Sequence, residues 1–155
     1  MKCLSRYRSK LIKEVNGYLA IIIRKPEEEA IHEFRVGIKR ITAFYYFINY
    51  VKPGSDIKKA IKPYRRLFKL TGKLRDVHIG KGLIADLENA DSIQTQKILK
   101  KLKGLERQSY RQFKNIFAKE IPSRIRIPVI DISHLSDQTV KNRMKRFLKE
   151  LLLER

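Results

Sequence analysis

Tryptophan is absent from this chain, cysteine occurs once, and 16 acidic residues stand against 36 Lys and Arg among 155 positions. Each scarcity excludes something. A lone Cys3 forbids an intramolecular disulfide and argues against an oxidising compartment. The longest apolar run is Leu19 to Ile23, far short of the roughly 20 residues that cross a bilayer. No apolar signal region follows Met1-Lys2-Cys3-Leu4-Ser5-Arg6, so a cytoplasmic location is expected. Seven Gly and five Pro leave few interruptions, which favours long helices.

What is present is charge on a folding sequence. Hydrophobic residues make up 43% of the chain, enough for a core, and the formal net charge is +20. Self-repulsion on that scale opposes compactness, and a polyanion that neutralises it with counterion release is the usual physical reason to carry it. Nucleic acid, acidic lipid and inorganic polyphosphate all qualify.

Periodicity predicts an all-α protein, an antiparallel bundle of five to six helices in one domain over 1–155. The motif-bearing bundle occupies 1–90. The long basic helix, an extended connection and a C-terminal helix fill 91–155. Leu4, Tyr7, Leu11, Val15, Tyr18 and Ile22 recur at helical steps and predict a first helix over about 3–23. Pro26 followed by Glu27, Glu28 and Glu29 opens a second. Its apolar face is Ile31, Phe34, Ile38, Ile41, Tyr45 and Ile48, and it stops at Lys52-Pro53-Gly54-Ser55.

Ile57, Ile61, Tyr64 and Phe68 start a third helix, which Thr71-Gly72 either interrupts or joins to a further helical stretch over about 73–88. An unbroken helix would put Arg75 on the arc of Tyr64 and Phe68. Either a break near Gly72 or a buried, paired Arg75 is therefore expected. Asn89-Ala90-Asp91-Ser92 reads as a turn and cap before a long helix with Leu99, Leu102, Leu105, Phe113, Ile116 and Phe117 on one side. Residues 121–135, with Pro122 and Pro128, read as an extended connection with room for a short strand. Ser136-Asp137 caps a last helix with apolar Val140, Met144, Phe147, Leu148 and Leu151.

Basic residues fall in stripes on these helices. At about 100° per residue, His32, Arg35 and Lys39 share an arc of roughly 60° almost opposite the second helix's apolar face. Arg40 lies on its flank. Lys62, Arg66, Lys69 and Lys73 recur at steps of three or four, and Lys100, Lys103, Arg107, Arg111 and Lys114 share an arc of roughly 80° on the long helix. Such steps place charges ~4.5 to 6 Å apart along a helix, a pitch that can follow a phosphate chain. Without an anion, like charges so aligned cost free energy.

His32-Glu33-Phe34-Arg35-Val36-Gly37-Ile38-Lys39-Arg40 resembles the H-x-x-R-V-x-x-K-R motif of the CHAD family, the conserved histidine α-helical domain. Leu70-Thr71-Gly72-Lys73-Leu74-Arg75-Asp76-Val77 is similar to that family's L-G-x-x-R-D segment, in the expected order downstream. The resemblance covers about 4–87 and, more weakly, the long helix. It implies a helical bundle that binds inorganic polyphosphate without catalysis, and a place at polyphosphate granules. Carried over by position, His32, Arg35, Lys39, Arg40, Lys73 and Arg75 are the expected contacts. Arg66, Lys69, Lys103, Arg107, Arg111 and Lys114 extend the surface, and Asp76 would orient Arg75.

Two departures accompany the resemblance. His78 stands where the family commonly has an acidic residue, which offers a pH-dependent phosphate contact. The family's second basic helix motif is missing after Gly82, and Asn142-Arg143-Met144-Lys145-Arg146 is its nearest remnant. A short or half-length member is implied, whose two-sided cavity a homodimer would rebuild.

No catalytic constellation is legible. Gly72-Lys73 leads to Leu74 and Gly80-Lys81 to Gly82, so no phosphate-cradling P-loop exists. His32, His78 and His134 are scattered and Cys3 is alone, so neither a metal nor another cofactor is expected. The E-x-E-x-K signature of the triphosphatases linked to the CHAD family is also absent. The competing expectation is electrostatic nucleic-acid binding, since any strongly basic helical protein binds DNA or RNA weakly.

Overall fold

The computed structural model describes residues 2–53, 57–86, 92–120 and 136–153. Five helices make up the chain there: α1 (Lys2–Arg24), α2 (Glu28–Val51), α3 (Ile57–Ala85), α4 (Ile93–Glu120) and α5 (Asp137–Leu153). The architecture is the expected all-α bundle, with no strand among the described residues. Each of the first three helices packs on the next in the chain, and α5 returns to α2. The expected connection over 121–135, with its proposed strand, lies outside the described residues.

Apolar spacing explains α2 well: Ile31, Phe34, Ile38, Ile41, Tyr45 and Ile48 are all buried. The first five meet Leu11, Val15, Leu19 and Ile22 of α1, Ile61, Tyr64, Leu67, Leu70 and Leu74 of α3, and Phe113 of α4 in one core. Each such side chain contributes roughly 1.5–3 kcal/mol of transfer free energy, most of it offset by ordering the chain. Leu19 belongs to this row, whereas Tyr7 is 46% exposed, so the buried stripe of α1 is displaced from the expected one. A second cluster joins Phe47, Ile48 and Val51 of α2 to Val140 of α5, with Phe147 against it. Because α5 packs on α2, only part of its apolar face is covered, and Met144 and Leu148 remain about half exposed.

The helix ends follow capping chemistry. Glu27 is the N-cap of α2, two residues later than a start at Pro26 would give, and Glu28 and Glu29 occupy the first turn. Ser92 Oγ accepts from the Thr95 amide at 3.1 Å and Ser136 Oγ from the Thr139 amide at 3.1 Å, as their sequences predict. Tyr110 donates its hydroxyl to the Ile23 carbonyl at 2.7 Å, tying α4 to the end of α1. Arg143 donates to the Val51 carbonyl at the end of α2, where an orphan acceptor and the dipole both favour a cation.

Of the two outcomes open at Gly72, the helix runs through. The further helix expected from residue 73 is the second half of α3. Thr71 is fully buried and its hydroxyl donates to the Leu67 carbonyl at 2.9 Å, so it turns no polar group into the core. Arg75 is paired, as a continuous helix requires, with its side chain 26% exposed.

Candidate anion-binding site

The two basic motifs meet across the antiparallel seam of α2 and α3. Arg35 Nη1 donates to the Phe68 carbonyl at 2.6 Å, and its guanidinium carbon lies 4.0 Å from the centroid of the Phe68 ring. A Cβ at position 72 would stand 2.9 Å from that same nitrogen. Glycine at 72 is what lets the guanidinium lie on the α3 backbone. Further along the seam, Arg75 Nη1 donates to Glu28 Oε1 at 2.5 Å.

This corrects two expectations. Arg35 does not lie opposite the apolar face of α2; it is half-buried in the seam, because α3 packs beside the apolar row and the long side chain folds onto it. Burial lowers its basicity, the Asp76 carboxylate opposes that, and the Arg75 charge adds to it. Asp76 is exposed and acts on Arg35 through charge, while the carboxylate that holds Arg75 is Glu28. A guanidinium has five N–H donors in a planar fork, so one bond to Phe68 leaves Arg35 donors for an anion.

His32, Lys39 and Arg40 are exposed on α2. The closest carboxylate to His32 is Glu33 at 3.8 Å, beyond hydrogen-bond length. On α3, Lys62, Arg66, Lys69 and Lys73 are exposed, and on α4 so are Lys100, Lys103, Arg107, Arg111 and Lys114. Lys114 also lies 5.1 Å from the centroid of the Tyr110 ring. Among the described residues Lys39, Arg40, Lys69, Lys73, Lys103, Arg107 and Arg111 make no ion pair. The structure thus brings Arg35, Arg75 and Asp76 together, with His32 and Lys39 at successive turns of α2. Among the described residues no ion pair joins the α4 stripe to this seam.

His78 is not a surface contact. It is 8% exposed, and its Nε2 lies 2.8 Å from Oε1 of Glu106 on α4. Lys81 donates to the other oxygen of the same carboxylate. Burial pushes Glu106 up, but the hydrogen bonds and charges of Lys81 and His78 outweigh it and hold the carboxyl below its ordinary value. This clamp fixes α4 on α3, and the sequence reading missed it. Its signal was Glu106 on the arc of Leu102 and Phe113, since a carboxylate on a buried face requires a partner.

No family model, curated protein or solved structure matches this chain. The family resemblance therefore rests on the two motifs themselves. Among the described residues no group of three or more His, Cys, Asp or Glu gathers to hold a metal ion, and no helix is long and apolar enough to cross a membrane. His134 lies outside the described residues. Arg143, in the segment that the resemblance would make the remnant of a second basic motif, is engaged in capping α2.

Proposed function

We propose that the chain binds inorganic polyphosphate without catalysis, with the α2–α3 seam as the primary site and the basic stripes of α3 and α4 as its extension. The observation that carries this reading is the pairing of the two motifs across one seam. Arg35 is pre-oriented by Phe68 and Gly72, and Arg75 by Glu28. A guanidinium fixed by its neighbours loses less freedom on binding and presents its remaining donors to phosphate oxygens in a planar fork. His32 and Lys39 add an imidazole and an ammonium on the exposed side of the seam, and the exposed stripes of α3 and α4 allow a long chain to continue beyond it. Cytoplasmic residence, association with polyphosphate granules and a homodimer completing a two-sided cavity belong to the same proposal.

The test is the salt dependence of polyphosphate binding in single-charge variants. Each phosphate contact removed reduces the slope of log K against log salt by about one for a duplex and somewhat less for a flexible chain. Lys39→Gln is expected to lower both affinity and slope. Lys13→Gln, on exposed α1 away from the seam, is expected to change affinity less. Equal losses in the two variants would reduce the reading to diffuse charge attraction.

A further inference from the structure

We infer that a cleft between α2 and α3 takes a small soluble amphiphilic anion, an alkyl or aryl body carrying one phosphate or carboxylate head. The cleft holds about 410 Å³, within the range of small-molecule sites. Its walls are Ile38, Thr42, Ala43 and Tyr46 of α2 and Phe68 of α3, with Lys39 and Arg65 at the edge.

The walls fit an apolar body. The Thr42 hydroxyl donates to the Ile38 carbonyl at 2.8 Å, so its one proton is already engaged by its own helix. The Tyr46 hydroxyl accepts from Arg65 Nη2 at 2.9 Å across the mouth, which draws the polar end of that ring to the rim. The only polar groups among the walls are these two hydroxyls, with no amide or carboxylate to read a base edge. A nucleotide is therefore a poorer fit than an alkyl or aryl chain.

The rim fits an anionic head. Lys39 and Arg65 make no ion pair among the described residues, so an anion placed between them displaces no carboxylate. A bare phosphate chain would use these cations and leave the apolar walls in water, so polyphosphate binding does not explain the cleft. The inference stands on the cavity and its rim and does not rest on the polyphosphate reading.

Calorimetric titration of the full chain with decyl phosphate below its micellar concentration, inorganic phosphate and decanol tests it. Decyl phosphate is expected to bind at least about tenfold more tightly than either fragment, a difference of about 1.4 kcal/mol. Ala43→Phe adds a ring to the cleft from an exposed helical position and is expected to lower decyl phosphate affinity about tenfold, with helicity and thermal midpoint unchanged. Arg65→Gln should lower it severalfold through the head alone. Polyphosphate affinity should survive Ala43→Phe, which separates the two readings. Undiminished decyl phosphate binding by Ala43→Phe, or decyl phosphate no tighter than inorganic phosphate, would overturn the assignment. So would phosphatidate vesicles capturing wild type but not Ala43→Phe, because the occupant would then be a membrane lipid.

Discussion

Replacing Glu106 by Gln removes the charge that joins His78 and Lys81 across α3 and α4 while keeping the size of the side chain. Glu106 is 23% exposed and its partners His78 and Lys81 are 8% and 27% exposed, so solvent screens the pairs only in part. A hydrogen bond to a charged group contributes roughly 1.5–3 kcal/mol. The glutamine carbonyl can still accept from His78, but its amide then faces the Lys81 ammonium, donor against donor. With one bond kept and one lost, a cost of about 1–2 kcal/mol is expected near neutral pH. The carboxyl lies below its ordinary value in the fold. Its contribution is therefore full above the unfolded-state value, 4.5, and is lost as pH falls through the lower folded-state value. Urea unfolding of wild type and Glu106→Gln at a series of pH values reads this directly. At pH 6 the midpoints should differ by roughly half to one molar for a typical slope, and the gap should narrow as pH falls below 4.5. A gap that is absent at pH 6, or that stays constant into acid, would refute the clamp.

Gly37→Ala puts a Cβ 2.4 Å from Cγ2 of the fully buried Val15. Overpacking of about 1–3 kcal/mol then outweighs about 1 kcal/mol gained in helix propensity; thermal unfolding should show a net loss that disappears in a Val15→Ala background. Gly72→Ala meets the flexible end of Arg35 instead, so stability should change by less than about 1 kcal/mol while polyphosphate affinity falls severalfold; unchanged affinity would remove Arg35 from the site. Ser92→Ala and Ser136→Ala should each cost about 1 kcal/mol in chemical denaturation, and a smaller loss at Ser136 would mark the α5 end as weakly coupled to the rest.

The helices were legible because their signals are local. Apolar rows at steps of three and four located α2 almost residue by residue, and Ser92 and Ser136 marked two helix starts. Gly72 left two outcomes open in the sequence; α3 runs through it, and the missing side chain there leaves the space that the Arg35 guanidinium takes. Contacts between helices were not legible. Asp76 is adjacent to Arg75 in sequence, but successive helical residues do not face each other, and Glu28, on the neighbouring helix, reaches the guanidinium. The His78–Glu106 clamp likewise joins residues 28 positions apart, a relation no single-helix projection contains. Met144 and Leu148 have the spacing of core residues, yet α5 packs on α2 and leaves them partly exposed. The sequence names the motif residues as candidates, whereas their division into oriented guanidinia and exposed cations depends on the seam.

The central claim is tested most directly by equilibrium competition between polyphosphate and duplex DNA at matched phosphate concentration, titrated across salt, with wild type, Arg35→Ala and Lys39→Ala. Preference for polyphosphate that persists as salt rises, and that both substitutions weaken more for polyphosphate than for DNA, is the predicted result. Equal affinity for the two polymers, unaffected by either substitution, would contradict it.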